Sequence, residues 1–382
     1  MYISRLRLKN WKNFQNVDTV LGERAFVIGP NASGKSNFLD ALRFLRDVSR
    51  DGLRKAVDGQ RGGVSAIRCL AARRHSQIEI LVNLRSGTGP EKGPADWEYE
   101  LILNQDNNKR AQIVSEVVMK AGTVVLSRPD SADATDPQRL IQTALEQISL
   151  NQKFRDVADF FDTISYQHLV PQVVRDPRGF TSGSVANDPF GRDFLLRILQ
   201  TRSDVRKSRL EKIRKALAVA VPQLAELEAV MDESGVPHLL GAYEHWRPNA
   251  AKQNESQFSD GTLRLLGLLW SMFEGLGPLL LEEPEISLHP EVVRQIPRLF
   301  SNIQRYRKIS RQMIVSTHSS DLISDPSIGL EEIILLVPSL EGTEIVKPSS
   351  ADAAAVRAGV SAADVMLPKA APKSVEQLSL AL

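Results

Sequence analysis

Hydrophobic and polar residues alternate along the first third of the chain. The segments "YISRLRLK" at residues 2–9 and "AFVI" at 25–28 predict strands, whereas "NFLDALRFLRDV" at 37–48 has the three-to-four-residue spacing of a helix. Between residues 64 and 126, four more segments predict strands, and Gly, Pro and Asn clusters separate them as in hairpins: "QIEILVNL", "WEYELIL", "QIVSEVVM" and "TVVL". This part of the chain is therefore expected to form an antiparallel, strand-rich structure.

Helical spacing dominates from residue 137 to residue 230, with "DFLLRILQ" and "SRLEKIRKALAVAV" as the clearest helices. After Phe258, helices alternate with short, wholly apolar strands in the order "TLRLLGLLWSMF", "LLL", "EVVRQIPRLFSNIQRY" and "QMIVS". A last strand, "EIILLV", precedes an Ala-rich helix near 351–364, and "PKAAPKSVEQLSLAL" is predicted to be a flexible tail. Alternating helices and buried strands predict an α/β fold.

Composition narrows the function classes. The chain has 382 residues, a net charge of +2 and 42% hydrophobic residues, so it can bury a core and any nucleic-acid surface must be a local patch. A single cysteine, Cys69, excludes an internal disulfide framework and a zinc cluster of several thiolates. The first residues lack the apolar block of a signal peptide, and Leu263–Leu281 is broken by charges and Pro278. We expect a cytoplasmic protein without a membrane partner.

The stretch "VIGPNASGKSN" contains the phosphate-loop pattern G-x-x-x-x-G-K-S between a predicted strand and a predicted helix. Glycines let the backbone wrap phosphates closely, a lysine reaches the β- and γ-phosphates, and a serine hydroxyl binds Mg²⁺. The pattern predicts ATP and Mg²⁺ as cofactors. The predicted nucleotide-binding residues are Gly29, Pro30, Asn31, Ala32, Ser33, Gly34, Lys35, Ser36 and Asn37, with Lys35 also catalytic and Ser36 also a metal ligand.

Two acids follow the buried strand in "GPLLLEEPEISLHP". Ligands of parallel sheets sit at the carboxyl ends of the strands, where Glu282 and Glu283 emerge. We expect Glu282 to contact the Mg²⁺ shell and Glu283 to act as the general base on the attacking water. The long stretch between Lys35 and Glu283 predicts a large inserted lobe.

Two further segments are candidates for the same site. In "QFSDGTLRLLGLLW", Ser259 is a good helix N-cap and Gly261 allows a tight approach, although a plain capped helix is equally consistent with the pattern. In "QMIVSTHSSDLI", His318 follows a buried strand. It is a candidate hydrogen-bond donor to the γ-phosphate or else a surface loop residue.

Together these motifs resemble the ABC-type ATPases of the RecF, SMC and OLD group. The resemblance rests on the phosphate loop, "SDGT", "LLLEEPE", "SLHP", "STHS" and the opening "ISRLRLKNWKNFQNV", and is weak between residues 50 and 255. It implies an α/β ABC-type P-loop head with an antiparallel strand-rich part and an inserted helical lobe. It also implies that nucleotide lies between two heads, with Ser259 and Gly261 supplied by the partner head and Ser287 to His289 along the seam.

The resemblance gives domain boundaries. They are 1–136 for the first half of the head, 137–255 for the inserted helical lobe, 256–345 for the second half of the head, and 346–382 for a final helix and tail. Two departures stand out: Glu282 replaces the usual aspartate, and the glutamine that normally follows the strand-rich lobe cannot be placed, with Gln77 and Gln167 as candidates.

Four segments are candidate partner surfaces. The segment "RSDVRKSRLEKIRKAL" is either a DNA-contacting stripe or a solvated helix face, and "QRYRKISR" is predicted to be the charged end of a helix. The segment "YEHWRP" contains His245, Trp246 and Arg247. We expect it either to transmit contact with a partner or DNA to the ATP site or to be part of the core. The last residues, Gln377–Leu382, resemble bacterial sliding-clamp-binding peptides, with a disordered or self-packed end as the alternative.

The expected function is ATP hydrolysis coupled to homodimerisation on or near DNA, in anti-phage defence or DNA repair. No heptad run of coiled-coil length is present, and only 64 residues follow His318. We therefore expect an effector such as a nuclease to be encoded on another chain. A slow ATP-gated scaffold for a protein partner is the first alternative. A transporter ATPase is the second, disfavoured by "SDGT" in place of the transporter signature.

Overall fold

The computed structural model describes residues 1–72, 76–87, 93–176, 188–244, 252–307 and 310–371. Its strands in chain order are β1 Tyr2–Trp11, β2 Phe14–Val20, β3 Arg24–Ile28, β4 Ile78–Arg85, β5 Trp97–Gln105, β6 Ala111–Lys120, β7 Thr123–Arg128, β8 Ser165–Gln167, β9 Leu224–Met231, β10 Pro237–Tyr243, β11 Gln253–Asn254, β12 Leu279–Glu282, β13 Met313–Ser316, β14 Ile333–Ser339 and β15 Gly342–Val346.

Helices occupy much of the remainder. The α-helices in chain order are α1 Lys35–Asp51, α2 Val64–Ile67, α3 Ser131–Thr135, α4 Arg155–Asp162, α5 Pro171–Arg175, α6 Phe194–Gln200, α7 Ser203–Leu217, α8 Asp260–Phe273, α9 Pro290–Arg307, α10 Ser320–Ile323, α11 Ser350–Arg357 and α12 Ala362–Ala370. Within the described residues, none of the helices has the length and apolar character needed to cross a membrane.

The chain divides into two compact units. Unit 1 comprises Met1–Ile164, Leu276–Leu280 and Ser310–Leu382, and unit 2 comprises Ser165–Gly275 and Leu281–Ile309. The predicted boundary at residue 137 does not coincide with this division, because α4 and the short turns before it belong to unit 1. The predicted change near residue 255 also has no counterpart, because α8 and the segment before it share one unit.

Unit 1 contains a six-stranded antiparallel sheet in the order β2-β1-β4-β5-β6-β7. The alternation of apolar and polar residues in the sequence explains why these segments form a sheet. In β1, for example, Ile3, Leu6 and Leu8 are fully buried. On the same sheet, Tyr99 of β5 packs edge-on against Phe161 of α4, with ring centroids 5.6 Å apart. The predicted strand-rich region is thus confirmed.

A buried ionic cluster joins β6 and β7 to the segment that follows them. The Arg128 guanidinium donates to Asp133 at 2.8 Å and 3.0 Å and to Glu116 at 3.2 Å. Glu116 also accepts the Tyr99 hydroxyl at 3.1 Å and the backbone N–H of Ala144 at 2.7 Å. The Arg128, Asp133 and Glu116 side chains are at most 1% exposed. Burial raises the pKa of the Glu116 carboxyl above its ordinary value.

The second sheet of unit 1 has β3 at its centre, parallel to both β13 and β14, with β15 antiparallel to β14. Beyond β13 lies β12, whose Leu279 N–H donates to the Gln312 carbonyl at 2.8 Å. The apolar residues of β3 and β13 are buried on both faces, which explains their unbroken hydrophobic runs. Because β3 and β13 are parallel, the segments after them emerge at one edge of the sheet.

Unit 2 contains the three-stranded antiparallel sheet β11-β10-β9, on which α6 and α7 pack. The sequence predicts helices throughout residues 137–230, but the structure has the strand β9 at the end of this range. The segment "LAELEAVM" of β9 follows Pro222, which cannot continue a helix, and its apolar residues fit a two-residue period as well as a helical one. The helices predicted as "DFLLRILQ" and "SRLEKIRKALAVAV" correspond to α6 and α7, although α7 begins earlier, at Ser203, and ends at Leu217, before the last four predicted residues.

Candidate functional site

The phosphate-loop sequence forms a tight connection between β3 and α1 in unit 1. Gly34 is the N-cap of α1 with φ 95°, and Ala32 is also left-handed with φ 61°. A Cβ on Gly34 would overlap the Asn13 side chain, so both the conformation and the space require glycine there. The Phe38 N–H donates to the Gly34 carbonyl at 2.8 Å, which begins the helix directly after the loop.

The turn of the first hairpin holds this loop from the side. Asn13 donates through Nδ2 to the Ser33 carbonyl at 2.9 Å and to Thr343 Oγ1 at 2.7 Å, and its Oδ1 accepts Asn37 Nδ2 at 2.8 Å. Trp11 adds a bond from Nε1 to the Asn37 carbonyl at 2.9 Å. Sequence reasoning missed Asn13; the only signal was its place in the hairpin "KNWKNF". The hairpin turn therefore supports the phosphate loop through side-chain hydrogen bonds from Asn13 and Trp11.

Lys35 is the first residue of α1 and is 6% exposed. Its Nζ donates to the carbonyls of Gly29 and Pro30, each at 3.1 Å. The nearby Ser33 hydroxyl is buried and makes no hydrogen bond to any described residue. A buried ammonium on carbonyl oxygens beside an unsatisfied hydroxyl is a polar cradle that fits phosphate oxygens.

His318 lies at the same edge of the unit 1 sheet as the phosphate loop. The Thr317 N–H donates to the Val27 carbonyl of β3 at 3.1 Å, and Thr317 Oγ1 accepts the Ser319 N–H at 2.9 Å. Thr317 is fully buried while His318 is exposed. The two bonds fix the backbone on either side of His318, so the imidazole emerges where β3 and β13 end.

The predicted acids belong to unit 2. Glu282 is the last residue of β12, and Glu283 follows it in the left-handed region with φ 43°. Ser287, four residues on, is also left-handed with φ 64°. Such conformations cost free energy in residues with a side chain and cluster at functional sites.

The short strand β8, which was not predicted, and the residue after it place three side chains beside Glu282. The Tyr166 hydroxyl donates to the Glu282 carboxylate, and His168 Nδ1 lies 3.9 Å from Glu282 Oε2. Gln167 lines a small cavity of about 30 Å³ together with Glu282 and Arg264. This position favours Gln167 over Gln77 as the glutamine of the predicted site.

The segment "SDGT" at residues 259–262, called the signature segment below, also belongs to unit 2. Ser259 is the N-cap of α8, and its Oγ accepts the Thr262 N–H at 3.1 Å. A Cβ on Gly261 would lie 2.6 Å from the Ser287 carbonyl, so the glycine allows the first turn of α8 to approach the loop after β12. Burial lowers the pKa of the Arg264 guanidinium one turn later, and the nearby carboxylates of Asp260 and Glu283 oppose this.

The cations of the basic helix, now α7, largely contact other groups of unit 2. Arg209 lies over the Trp270 ring at 5.6 Å, Lys212 donates to the Tyr306 hydroxyl at 2.7 Å, and Arg206 donates to the Leu199 carbonyl at 2.5 Å. These contacts favour the interpretation of α7 as a packed helix with a solvated face.

The remaining predicted partner surfaces are either partly described or lie outside the described residues. The prediction that "QRYRKISR" forms the charged end of a helix is met by Arg305 and Arg307, which are in the last turn of α9 as described. It is not met by Arg311, which is 4% exposed and donates through Nε to the Gly277 carbonyl at 2.6 Å. The residues His245, Trp246 and Arg247, Lys308, and the tail Gln377–Leu382 lie outside the described residues.

The donor groups suit magnesium rather than a protein-only metal cage. Across the described ranges, no cluster of three or more His, Cys, Asp or Glu side chains is arranged to hold a metal. Ser36 of unit 1 offers a hydroxyl and Glu282 of unit 2 a carboxylate, and each is a hard oxygen donor of the kind that Mg²⁺ takes together with water and substrate phosphates. The predicted ligands fit that chemistry.

Comparison with protein families gives one match over most of the chain. A family model described as "AAA domain, putative AbiEii toxin, Type IV TA system" matches residues 24–325. That range begins at β3 and includes the phosphate loop, the signature segment, both acids and His318.

Two curated proteins are similar over shorter stretches. The chromosome partition protein Smc of Synechococcus sp. is 31% identical over 115 residues, 25% of this chain and 9% of that protein. The endonuclease GajA of Bacillus cereus (strain VD045) is 45% identical over 47 residues, 12% of this chain and 8% of that protein. The chain thus spans less than a tenth of the length of either relative.

Solved structures show the fold. The Smc head bound to the C-winged helix domain of ScpA has a TM-score of 0.54 at 16% identity, covering 93% of this chain and 99% of that one. The Smc head domain with an extended coiled coil bound to the C-terminal domain of ScpA, derived from Pyrococcus furiosus, has a TM-score of 0.50 at 14% identity, covering 94% and 98%. The predicted ABC-type P-loop fold is confirmed.

Proposed function

The chain belongs to the AAA-domain family whose model spans residues 24–325 and is an ABC-type ATPase of the RecF, SMC and OLD group. We propose that the chain binds ATP together with Mg²⁺, forms a dimer when ATP is bound, and hydrolyses the ATP. One observation carries the proposal: the phosphate loop is already shaped, with Gly34 left-handed, the Ser33 carbonyl held by Asn13, and Lys35 buried on the carbonyls of the loop.

Each predicted residue has a chemical task in this proposal. Lys35 exchanges its carbonyl contacts for the β- and γ-phosphates, and the backbone N–H groups at the start of α1 face the same anion. Ser36 and Glu282 hold Mg²⁺, which neutralises charge developing on the phosphates.

Three further residues act at the γ-phosphate. Glu283 accepts the proton of the attacking water, so its carboxylate must be ionised, and His318 donates a hydrogen bond to the phosphate. Ser259, with Gly261 beside it, offers the N-terminus of α8 to the nucleotide of a second copy, which makes ATP the link between two chains.

For the biological setting, we propose an ATPase that acts on or near DNA in the cytoplasm, in anti-phage defence or DNA repair, with a separately encoded effector such as a nuclease. The printed names of the similar proteins, a chromosome partition protein and an endonuclease, support a DNA-linked role. The description of the matching family names a toxin of a type IV toxin–antitoxin system, and such a system is the second biological role that we propose. Clamp binding through Gln377–Leu382 stays a proposal.

The experiment is the Glu283→Gln variant, which retains ATP binding and loses turnover because an amide cannot accept the proton of the water. Light scattering should show a dimer that persists with ATP and Mg²⁺, whereas the wild type returns to monomer as ATP is consumed. Normal hydrolysis by the variant would refute the assignment of the base. Strong stimulation of wild-type turnover by DNA separates the DNA-linked function from the slow scaffold, which DNA leaves unchanged.

A further inference from the structure

The first turn of α8 carries a negative charge where the proposed function needs an anion to bind. Asp260 follows the N-cap Ser259 directly and is the first residue of the helix. An aspartate in the first turn stabilises a helix through its dipole. The same carboxylate repels a phosphate that approaches the helix N-terminus, because like charges a few ångströms apart interact strongly outside bulk water. Some other group must offset Asp260.

Helix α5 supplies that group. Arg175 Nη2 lies 2.5 Å from Asp260 Oδ1, and Gln172 Nε2 donates to Asp260 Oδ2 at 3.3 Å. Arg175 Nη2 also donates to the backbone carbonyl of Phe258 at 2.7 Å, in the segment just before Ser259. All of these residues belong to unit 2. One guanidinium thus contacts the signature segment through both a side chain and the backbone.

The exposure of the pair indicates what the contact does. The Arg175 side chain is 25% exposed and that of Asp260 38%, and a surface ion pair of this kind contributes little to stability. Its effect on an incoming anion is different in kind, because Arg175, together with Arg264 one turn into the helix, offsets the Asp260 charge beside the helix N-terminus. The pair is therefore better placed to control anion binding than folding.

Resting on the proposed function, we propose that Arg175 is a positioning residue of the signature segment. It neutralises Asp260, and this allows the N-terminus of α8 to accept the γ-phosphate of a nucleotide bound by a second copy of the chain. Ser259 and the first N–H groups of α8 then attract the phosphate without an opposing carboxylate charge. The contact with Phe258 holds the preceding backbone against α5 at the same time.

The test is dimerisation on a non-hydrolysable ATP analogue with Mg²⁺, followed by analytical ultracentrifugation, so that no catalytic step is involved. Arg175→Ala should raise the nucleotide concentration for half-maximal dimerisation about tenfold, the size of effect expected for exposing one charge to a bound anion. Asp260→Asn added to Arg175→Ala should restore the wild-type value, because the charge that needed neutralising is gone. Asp260→Asn alone leaves the Arg175 charge uncompensated, so it should dimerise at or below the wild-type nucleotide concentration. The defect of Arg175→Ala should shrink as salt is raised.

Arg202→Ala is the matched control, because Arg202 pairs with Asp204 in the same unit at 2.6 Å and is far more exposed. It should leave dimerisation unchanged, and binding of a fluorescent nucleotide to the monomer should be equal in all variants. Dimerisation of Arg175→Ala at the wild-type concentration overturns this inference alone. A defect that Asp260→Asn does not rescue overturns charge neutralisation and leaves only the Phe258 contact. A wild type that never dimerises overturns the proposed function as well.

Discussion

Replacing Arg128 by alanine removes the cation of the buried cluster in unit 1 and should be strongly destabilising. The guanidinium makes two bonds to Asp133, one to Glu116 and two to the carbonyls of Arg139 and Gln142. Both carboxylates are fully buried, so the variant leaves them without their main counter-charge. Removing one partner of such a pair costs about 3–5 kcal/mol, and we expect a melting temperature about 10 °C lower.

The loss should also depend on pH. Burial raises the pKa of Glu116 above its ordinary value of 4.5, so the folded state binds this proton more tightly than the unfolded state. Stability from such a group is lost as pH rises through the folded pKa, because the charged form must then be buried. Without Arg128 the folded pKa rises further. Thermal denaturation should therefore show a larger difference between Arg128→Ala and wild type at pH 8 than at pH 5.5.

Arg5→Ala provides the matched control for this prediction. Arg5 pairs with Asp18 at 2.5 Å in the same unit, but both side chains are about two-fifths exposed. Such a pair contributes at most about 1 kcal/mol, so its loss should barely move the melting temperature. A melting temperature for Arg128→Ala within about 2 °C of wild type at both pH values would refute the reasoning.

Three further variants test the site itself. Lys35→Ala should weaken ATP binding about a hundredfold, since a hydrogen bond to a charged group is worth up to about 3 kcal/mol; fluorescent-nucleotide titration measures it. Ser259→Arg should bind ATP normally yet neither dimerise nor turn over, and full activity would disprove the signature assignment. Tyr166→Phe releases Glu282 from its hydroxyl contact, so less Mg²⁺ should support half-maximal turnover, and Mn²⁺ bound with a nucleotide analogue should show tighter binding by electron paramagnetic resonance.

The parts of the fold that sequence predicted are those with strong local constraints. The phosphate loop was recognisable because its glycines and Lys35 occupy fixed places between a strand and a helix, as the structure has them in β3 and α1. The strand before Glu282 was recognisable because three leucines run directly into two acids. In each case a few neighbouring residues determine the conformation, so one sequence suffices.

The parts that sequence missed depend on distant residues or on segments too short to show a period. Strand β8 has three residues, which cannot display alternation, yet it carries Tyr166 to Glu282. Asn13 bonds Thr343, 330 positions away, and nothing local marks it as part of the loop's support. Strand β9 fits both periods, and only its pairing with β10 decides between them.

Unit 1 is assembled from segments that are far apart in the sequence, and this affects its folding during synthesis on the ribosome. Strand β3 pairs on both sides with strands near the other end of the sequence, and the Ile3 N–H donates to the Gln312 side chain 309 positions away. At about 5–20 residues per second, a ribosome needs about 15–60 s to deliver those partners after β3 emerges. During that time the apolar residues of β3 lack their sheet, so the nascent chain offers a binding segment to chaperones long before its nucleotide loop is supported on both sides.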